Sequence, residues 1–231
     1  MKINTCLPGL FTLIGALCLV IASPSQAKGL MSLSDREYTW ELSLQTKYAD
    51  STSIDFDGGA SADLNSSWDW GFGFGYNFTE NWAFNFDINW GSTNYEGIRV
   101  LDDGQNTKES ISGTLSSSSS DFRAVYHFMD KRFTPFVGAS LGWIYIDTNI
   151  PTGPPQTSCW YDPWMGYICS TYQPTKAGTE FSYTANVGVR FDLTDAFFLR
   201  ASAGKRWIDF DNASGTPDIT MYRFDMGFMF R

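Results

Sequence analysis

Bulky apolar side chains alternate with small or polar ones along residues 68–91. The bulky set is Trp68, Trp70, Phe72, Phe74, Tyr76, Phe78, Trp82, Phe84, Phe86, Ile88 and Trp90, and the positions between are mostly Gly, Asn and Asp. Successive side chains of an extended strand point to opposite faces. The pattern therefore predicts two β-strands that turn at residues 79–81 and carry their bulky side chains on one face.

The difference in size between the two faces indicates their environment. A soluble barrel would have to turn the bulky face inward, into an interior barely wide enough for ordinary side chains. A membrane barrel turns that face outward to lipid and keeps a small, polar lumen. The hairpin is therefore interpreted as part of a lipid-facing wall.

Eight alternating segments can be placed along the chain. They cover residues 37–48, 68–78, 82–90, 116–128, 133–147, 179–192, 196–210 and 220–230. The connections are alternately short (79–81, 129–132, 193–195) and long (50–67, 95–113, 148–178, 211–219), as periplasmic turns and extracellular loops are. The sequence predicts an all-β fold, an eight-stranded antiparallel up-and-down transmembrane β-barrel with both termini on the periplasmic side.

Two stretches carry a family resemblance. Residues 133–143 read Phe-Thr-Pro-Phe-Val-Gly-Ala-Ser-Leu-Gly-Trp, and residues 191–200 read Phe-Asp-Leu-Thr-Asp-Ala-Phe-Phe-Leu-Arg. They resemble a strand and a strand–turn–strand element of the eight-stranded outer-membrane β-barrel family, which includes the OmpA transmembrane domain, OmpX and the opacity proteins. The resemblance implies residence in a Gram-negative outer membrane and insertion by the barrel-assembly machinery. Its motifs are architectural and imply no particular activity.

The N-terminus has the features of a cleaved signal peptide. Met1 and Lys2 precede an apolar run over residues 7–22, and Ser23-Pro-Ser-Gln-Ala27 supplies a small-x-small cleavage site. The alternative, a membrane anchor, is disfavoured because the run is short for a span. We expect cleavage after Ala27, which makes residues 1–27 a signal peptide and residues 28–231 the barrel domain.

Charge and cysteine content narrow the function classes. The formal net charge of −9 argues against a nucleic-acid partner. Cys6 and Cys18 leave with the signal peptide, and Cys159 and Cys169 remain in an oxidising compartment, where a disulfide is favoured over free thiols. A metal site would need further ligands, so no metal and no cofactor are predicted.

Twelve charged residues are predicted to face the lumen. They are Glu41, Lys47, Asp69, Asp87, Asp121, Arg123, Glu180, Arg190, Arg200, Arg206, Arg223 and Asp225. One interpretation is a selective pore lined by charge rings, and the other is an ion-pair network that closes the lumen. We favour the network because eight strands leave little room for water. Lys205 falls on the outward face near the extracellular rim, where its ammonium is placed to snorkel and meet a lipopolysaccharide phosphate.

Catalysis is not predicted, and no residue is assigned a catalytic role. Some barrels of this size act on lipid A and generally need a histidine near a serine or an acid on the outer side. The single histidine of this chain, His127, precedes a short turn and falls at the periplasmic end. It is interpreted as a polar residue at the rim of the lumen.

The third long loop, residues 148–178, is the most distinctive surface segment. It combines prolines and the two cysteines with Trp160, Tyr161, Trp164 and Tyr167. Exposed aromatics held by a disulfide suggest a preorganised surface for an extracellular ligand. Alternatively, these aromatics pack on one another or dip into the outer leaflet only to order the loop.

The sequence therefore predicts a non-enzymatic outer-membrane surface protein with an envelope-structural role, partner recognition through its extracellular loops, or both. Expected partners are outer-membrane lipid and lipopolysaccharide, the assembly machinery and a ligand of loop 148–178. The alternative is a narrow porin or a channel for small hydrophobic solutes. Gly71, Gly73 and Gly75 on the inner face of the second strand would permit it by leaving space.

Overall fold

The computed structural model describes residues 32–100, 107–210 and 213–231. The predicted signal peptide and its cleavage site after Ala27 lie outside these residues. Within the described ranges, no helix is long and apolar enough to cross a membrane.

Twelve strands make up the described structure. In chain order they are β1 (Thr39–Ala49), β2 (Thr52–Asp55), β3 (Ser61–Leu64), β4 (Ser67–Asn77), β5 (Trp82–Val100), β6 (Lys108–His127), β7 (Phe133–Pro151), β8 (Gln156–Asp162), β9 (Gly166–Tyr172), β10 (Thr175–Asp192), β11 (Phe197–Asp209) and β12 (Asp218–Phe230). Eight of them close into a ring, and the other four form two hairpins in the long loops.

The ring runs β1–β4–β5–β6–β7–β10–β11–β12 and returns to β1, with every neighbouring pair antiparallel. The first and last strands close it, pairing from Trp40 opposite Phe230 to Ala49 opposite Met221. This confirms the predicted all-β, eight-stranded antiparallel barrel. The end with the short connections is called the turn end below, and the opposite end the loop end.

The bulky side chains of β4 and β5 face outward, as predicted. Trp68, Trp70, Phe72 and Phe74 are exposed on the outer wall, where neighbouring rings pack across strands. The ring centroids of Trp70 and Trp90 are 5.3 Å apart. At the alternate positions of β5 the side chains point inward, and Asn85, Asp87 and Asn89 are buried. Alternation thus produces an apolar wall around a polar interior.

Two of the short connections use the same local chemistry. The Thr79 hydroxyl accepts hydrogen bonds from the backbone N–H groups of Asn81 (3.2 Å) and Trp82 (3.0 Å). The Thr194 hydroxyl accepts from Ala196 (3.2 Å) and Phe197 (3.0 Å) in the same way. Such hydroxyl-capped turns connect antiparallel strands tightly, which keeps the turn end compact.

The predicted limits of two long loops were wrong. Residues 95–113 were expected to be a loop, but β5 and β6 stay paired out to Val100 opposite Lys108. The serine run 116–120 therefore lies inside β6, and β7 and β10 also extend into the predicted 148–178 loop. Beyond the apolar wall the outward side chains no longer face lipid and are small and polar, so the sequence pattern weakens while the backbone hydrogen bonds continue.

Candidate functional site

Buried ion pairs fill the middle of the lumen. We use the term ion-pair network for Glu41, Lys47, Asp87, Asp121, Arg123, Arg190, Arg200, Arg206, Arg223 and Asp225. The side chains come from six of the eight barrel strands. Each one reaches the centre of the lumen because it occupies an inward-facing position of its strand. All of these residues are buried except Arg223, which is partly buried.

Glu41 and Asp225 are joined through Arg200. The Glu41 carboxylate accepts a hydrogen bond from Arg190 Nη1 at 2.5 Å and one from Asn77 Nδ2 at 2.8 Å. It also lies 3.1 Å from Arg200 Nη1. Arg200 Nε is 3.2 Å from the Asp225 carboxylate. One arginine therefore connects two acids that come from β1 and β12.

Asp87 and Asp225 share two further arginines. Asp87 lies 3.1 Å from Arg123 Nε and 2.8 Å from Arg223 Nη1, and it accepts a hydrogen bond of 2.6 Å from Gln45 Nε2. Asp225 lies 2.6 Å from Arg223 Nε and 3.7 Å from Arg123 Nη2. Each carboxylate thus has more than one cation, as buried charges require.

Asp121 holds the cations nearest the loop end. It pairs with Arg206 through both carboxylate oxygens and lies 3.6 Å from Lys47 Nζ. A cavity of about 30 Å³ lies beside these groups. A water needs a cavity of about 10–15 Å³, so this one has room for about two waters. Its charged lining residues are Lys47, Asp121, Arg123, Arg206 and Arg223.

The remaining two predicted lumen charges lie elsewhere. Asp69 and Glu180 are only half-buried, near the loop ends of β4 and β10. Asp69 stands opposite Lys47 and Gly91 in the strand register. These two acids therefore lie toward the loop end of the lumen.

Apolar side chains lie on both sides of the ion-pair network. At the loop end, Ile144, Ile146 and Ile208 are buried together with partly buried Leu115, Phe210 and Ile219; we call these six the apolar layer. At the turn end, Phe136 packs with Ala83 and Val125. Phe198 lies between Arg190 and Arg200, whose guanidinium carbons are 4.4 and 4.7 Å from its ring centroid, a cation–π arrangement.

The lumen-facing glycines of β4 do not leave an open passage. A Cβ atom on Gly73 would lie 2.6 Å from the Asp87 carboxylate and 2.7 Å from the Ser43 hydroxyl. One on Gly71 would lie 2.6 Å from the Asn89 amide oxygen. The expectation that these glycines create space was wrong, because polar side chains of β1 and β5 occupy the volume.

Sequence reasoning missed a cluster that covers the turn end. Residues 32–38, here called the N-terminal cap, cross this end before β1. Arg36 is fully buried and donates to the backbone carbonyls of Glu80 (2.6 Å), Lys131 (3.3 Å) and Met129. Its guanidinium also lies 3.2 Å from the Asp192 carboxylate. The cap thereby contacts all three short connections or the strand ends beside them.

Burial dominates the electrostatics where the N-terminal cap meets the first short connection, residues 79–81. It raises the pKa of the Glu80 carboxyl above its ordinary value, although the guanidinium of Arg36, 3.8 Å away, acts in the opposite direction. Burial also lowers the pKa of Arg36. Asp192 could have been found from the sequence, since it continues the inward phase of Arg190. No sequence pattern marked Arg36, because it precedes the strand.

His127 lies at the turn end, as its position suggested. The ring is fully buried against Phe136, with 5.9 Å between the two ring centroids. Both ring nitrogens are buried without a hydrogen-bond partner among the described residues. In that part of the chain, no group of three or more His, Cys, Asp and Glu side chains is arranged to hold a metal ion.

The third loop contains a separate two-stranded sheet. We call β8, β9 and the turn between them the outer hairpin, residues 156–172. Cys159 stands opposite Cys169 and forms a disulfide with it. The next pair on the same face is Tyr161 opposite Tyr167. Trp160, Tyr161, Trp164 and Tyr167, the predicted binding surface, are all exposed, and their role as a surface remains a prediction.

Lys205 is on the outer wall, as its phase indicated. Its ammonium is exposed and forms an ion pair with Asp218 at the start of β12. The stacked rings of Tyr183 and Trp207, 5.3 Å apart, lie next to it toward the loop end. The cation therefore lies on the turn-end side of these two aromatic rings on the outer wall.

The comparisons with known proteins agree with this architecture. A family model described as outer membrane protein beta-barrel domain matches residues 14–230. No curated protein sequence matches the chain. The solved structure of the outer membrane protein OprG from Pseudomonas aeruginosa superposes with a TM-score of 0.54 at 12% identity, over 86% of this chain and 98% of OprG. This likeness shows the barrel fold.

Two further solved barrels are similar at lower scores. Ail of Yersinia pestis, solved with the heparin analogue sucrose octasulfate, has a TM-score of 0.47 and 12% identity, over 84% of this chain and 99% of Ail. Neisserial surface protein A has a TM-score of 0.47 and 14% identity, over 84% of this chain and 98% of that protein.

Proposed function

The chain belongs to the outer membrane protein β-barrel domain family, which places it in the outer membrane of Gram-negative bacteria, and we propose that it is a non-enzymatic surface protein with a closed lumen. In this proposal the specific function of the protein is to recognise a partner through the outer hairpin. The main support for a closed lumen is the ion-pair network, in which each carboxylate contacts at least two cations.

Energetics support a lumen that stays closed. Removing one partner of a buried ion pair typically costs about 3–5 kcal/mol, and a continuous water path would have to separate several shared pairs at once. The apolar layer above the network adds a second barrier, since apolar constrictions exclude water and ions. Aqueous channels are found in barrels of about 16–18 strands, not eight.

Single-channel recording tests the closed lumen. Protein with a heat-modifiable gel mobility, which shows that the barrel is folded, would be inserted into planar bilayers. We expect no stable current steps at any applied voltage below membrane breakdown. Reproducible ion conductance from the folded wild-type barrel would overturn the proposal.

The second candidate is a narrow porin or a conduit for small hydrophobic solutes. The apolar layer is the observation that favours it, because this layer gives the loop end of the lumen an apolar lining. The double variant Asp121→Ala/Arg206→Ala separates the two functions. In a working channel it would increase conductance, whereas in a closed barrel it would chiefly lower stability.

The non-enzymatic part of the proposal rests on where the polar groups lie. His127 is the single histidine of the chain, and it is buried at the turn end, away from the outer leaflet. We therefore expect unchanged lipid A mass spectra in a strain that lacks the gene. Loss of a modified lipid A species, restored by the wild-type gene, would contradict this.

Two partners follow from the outer wall and the last strand. Lys205 is proposed to contact a lipopolysaccharide phosphate, because it is an exposed cation beside the rings of Tyr183 and Trp207 at the edge of the apolar wall. The last strand ends at Phe230, followed by Arg231. Its alternating outward aromatics are the proposed recognition element for the barrel-assembly machinery.

A further inference from the structure

The outer hairpin is almost free of charge. Between residues 152 and 175 the sequence contains no Lys or Arg, and its one acid is Asp162. The Asp162 carboxylate accepts hydrogen bonds from the backbone N–H groups of Trp164 (2.8 Å) and Met165 (2.9 Å). Its charge thus orders the turn of the hairpin.

The tip presents apolar side chains to the surroundings. Trp164 is 94% exposed and Met165 is 81% exposed, and behind them Tyr161 and Tyr167 are 74% and 73% exposed. The tip is convex, because these residues flank a turn between two strands. Small-molecule sites are usually concave, whereas exposed apolar patches mark contacts with proteins or membranes.

The hairpin holds this tip without help from the barrel sheet. A lone two-stranded hairpin is marginally stable in water, but here Cys159 and Cys169 are joined covalently. Nearer the base, the hydroxyls of Thr157 and Thr171 are hydrogen-bonded at 2.9 Å, and the Tyr172 hydroxyl donates to Gln156 at 2.8 Å. Binding by the tip therefore requires little further ordering.

We propose that the tip of the outer hairpin inserts into the interface of a zwitterionic phospholipid bilayer that faces the cell surface. This inference rests on the proposed function, whose partner it specifies. Trp and Tyr favour the boundary between headgroups and acyl chains, and a soft bilayer accepts a convex apolar tip. Anionic lipid is disfavoured because the hairpin has no cation to bind it and the whole chain carries a formal charge of −9.

Vesicle co-sedimentation tests the inference with the full barrel held in nanodiscs. We expect the wild type to bind phosphatidylcholine vesicles and to bind vesicles rich in phosphatidylserine more weakly. The variant Trp164→Ser/Met165→Ser should lose about tenfold or more in vesicle affinity, since it removes the two most exposed apolar side chains. The control Ile98→Ser removes an exposed apolar side chain of β5, outside the outer hairpin, and should bind like the wild type.

Three outcomes would overturn the inference. They are equal vesicle binding by the tip variant, stronger binding to anionic vesicles, and no binding of the wild type to phosphatidylcholine vesicles. The last result is expected if the tip dips into the barrel's own leaflet or fits a cleft in a protein. Heat-modifiable mobility of each variant establishes that its barrel is folded. A planar-bilayer recording without current steps, combined with failed vesicle binding, contradicts only the proposed membrane partner. Stable conductance contradicts the proposed closed lumen.

Discussion

At the scale of single residues, the lumen depends on carboxylates that each serve several cations. Asp87 contacts Arg123 and Arg223, and Asp121 contacts Arg206 and Lys47. A shared carboxylate cannot be replaced without leaving two buried cations short of a partner. The stability of the charged interior therefore depends on a few carboxylates.

Asp87→Asn should destabilise the barrel strongly. The amide keeps the shape of the side chain but removes the charge that Arg123 and Arg223 share, so we expect a loss of about 3–5 kcal/mol in the free energy of unfolding. Urea titration of the reconstituted protein, followed by gel mobility, measures it. The control is Asp218→Asn, which breaks the exposed pair with Lys205 and should cost less than about 1 kcal/mol. Similar losses for both would contradict the assignment.

Gly73→Val should also destabilise the barrel. Its side chain would enter the volume that Gln45, Asp87 and Ser43 fill, and overpacking of this kind costs about 1–3 kcal/mol. The fraction of folded barrel after refolding, measured by gel mobility, reports the effect. Gly215→Val is the matched control, because a Cβ atom on Gly215 meets no atom within 4 Å. A fully stable Gly73→Val variant would show that the lumen has spare room at β4.

At the scale of elements, the strand segments inside the apolar wall were predicted well, because contact with lipid requires apolar side chains at alternate positions. The strand extensions beyond the wall were predicted poorly, because contact with water has no such requirement. Segment 220–230 is close to β12, since outward aromatics alternate with lumen residues along it. The start of β6 was missed because Ser and Thr occupy one of its faces and the other carries only Ile111 and Leu115 as apolar residues. Hydrogen bonding between backbones carries no side-chain signature, so these extensions and the outer hairpin were not predicted.

The disulfide should stabilise the outer hairpin and leave the barrel unaffected. We expect Cys159→Ser/Cys169→Ser to retain the barrel's resistance to urea while chymotrypsin cleaves faster at Tyr161, Trp164 or Tyr167. The local loss should be below about 3 kcal/mol, since the closed loop is short. Time courses of chymotrypsin digestion measure it, with trypsin as the control because residues 152–175 contain no Lys or Arg. Unchanged chymotrypsin cleavage would show that the strand pairs suffice.

Lumen residues were predictable from strand phase alone, whereas their pairing was not. Phase placed Glu41 and Arg190 inside, but only the closed ring shows that these residues of β1 and β10 meet at 2.5 Å. Arg36 precedes β1, so the inward–outward alternation of a strand could not be used to place it. Long-range partners depend on how strands tilt and stagger around a barrel, which a single sequence does not display.

At the scale of the whole molecule, the proposed closure of the lumen has three successive levels. The N-terminal cap covers the turn end, the ion-pair network fills the middle, and the apolar layer occupies the loop end. The outer hairpin forms a two-stranded sheet separate from the barrel sheet. In the proposed function, anchoring in the membrane and contact with a partner are thus carried by different parts of the chain.

Arg36→Ala should loosen the turn end of the whole barrel. It removes a buried guanidinium that bonds backbone carbonyls of two connections and pairs with Asp192, so we expect a loss of about 3 kcal/mol. Thermal unfolding measured by gel mobility checks this. Arg231→Ala is the control, since its pair with Asp35 is exposed and should contribute less than about 1 kcal/mol. Equal midpoints for Arg36→Ala and wild type would contradict a stabilising cap.

Sharing of carboxylates in the ion-pair network also constrains how this barrel can diverge. A substitution at Asp87 changes the surroundings of Arg123 and Arg223 together, so we expect a lone replacement to be disfavoured and a compensated set to be tolerated. On the outer wall each apolar residue faces fluid lipid, and one can replace another independently. Descendants of this sequence should therefore keep the balance of interior charge even when its positions move, and their outer walls should drift residue by residue.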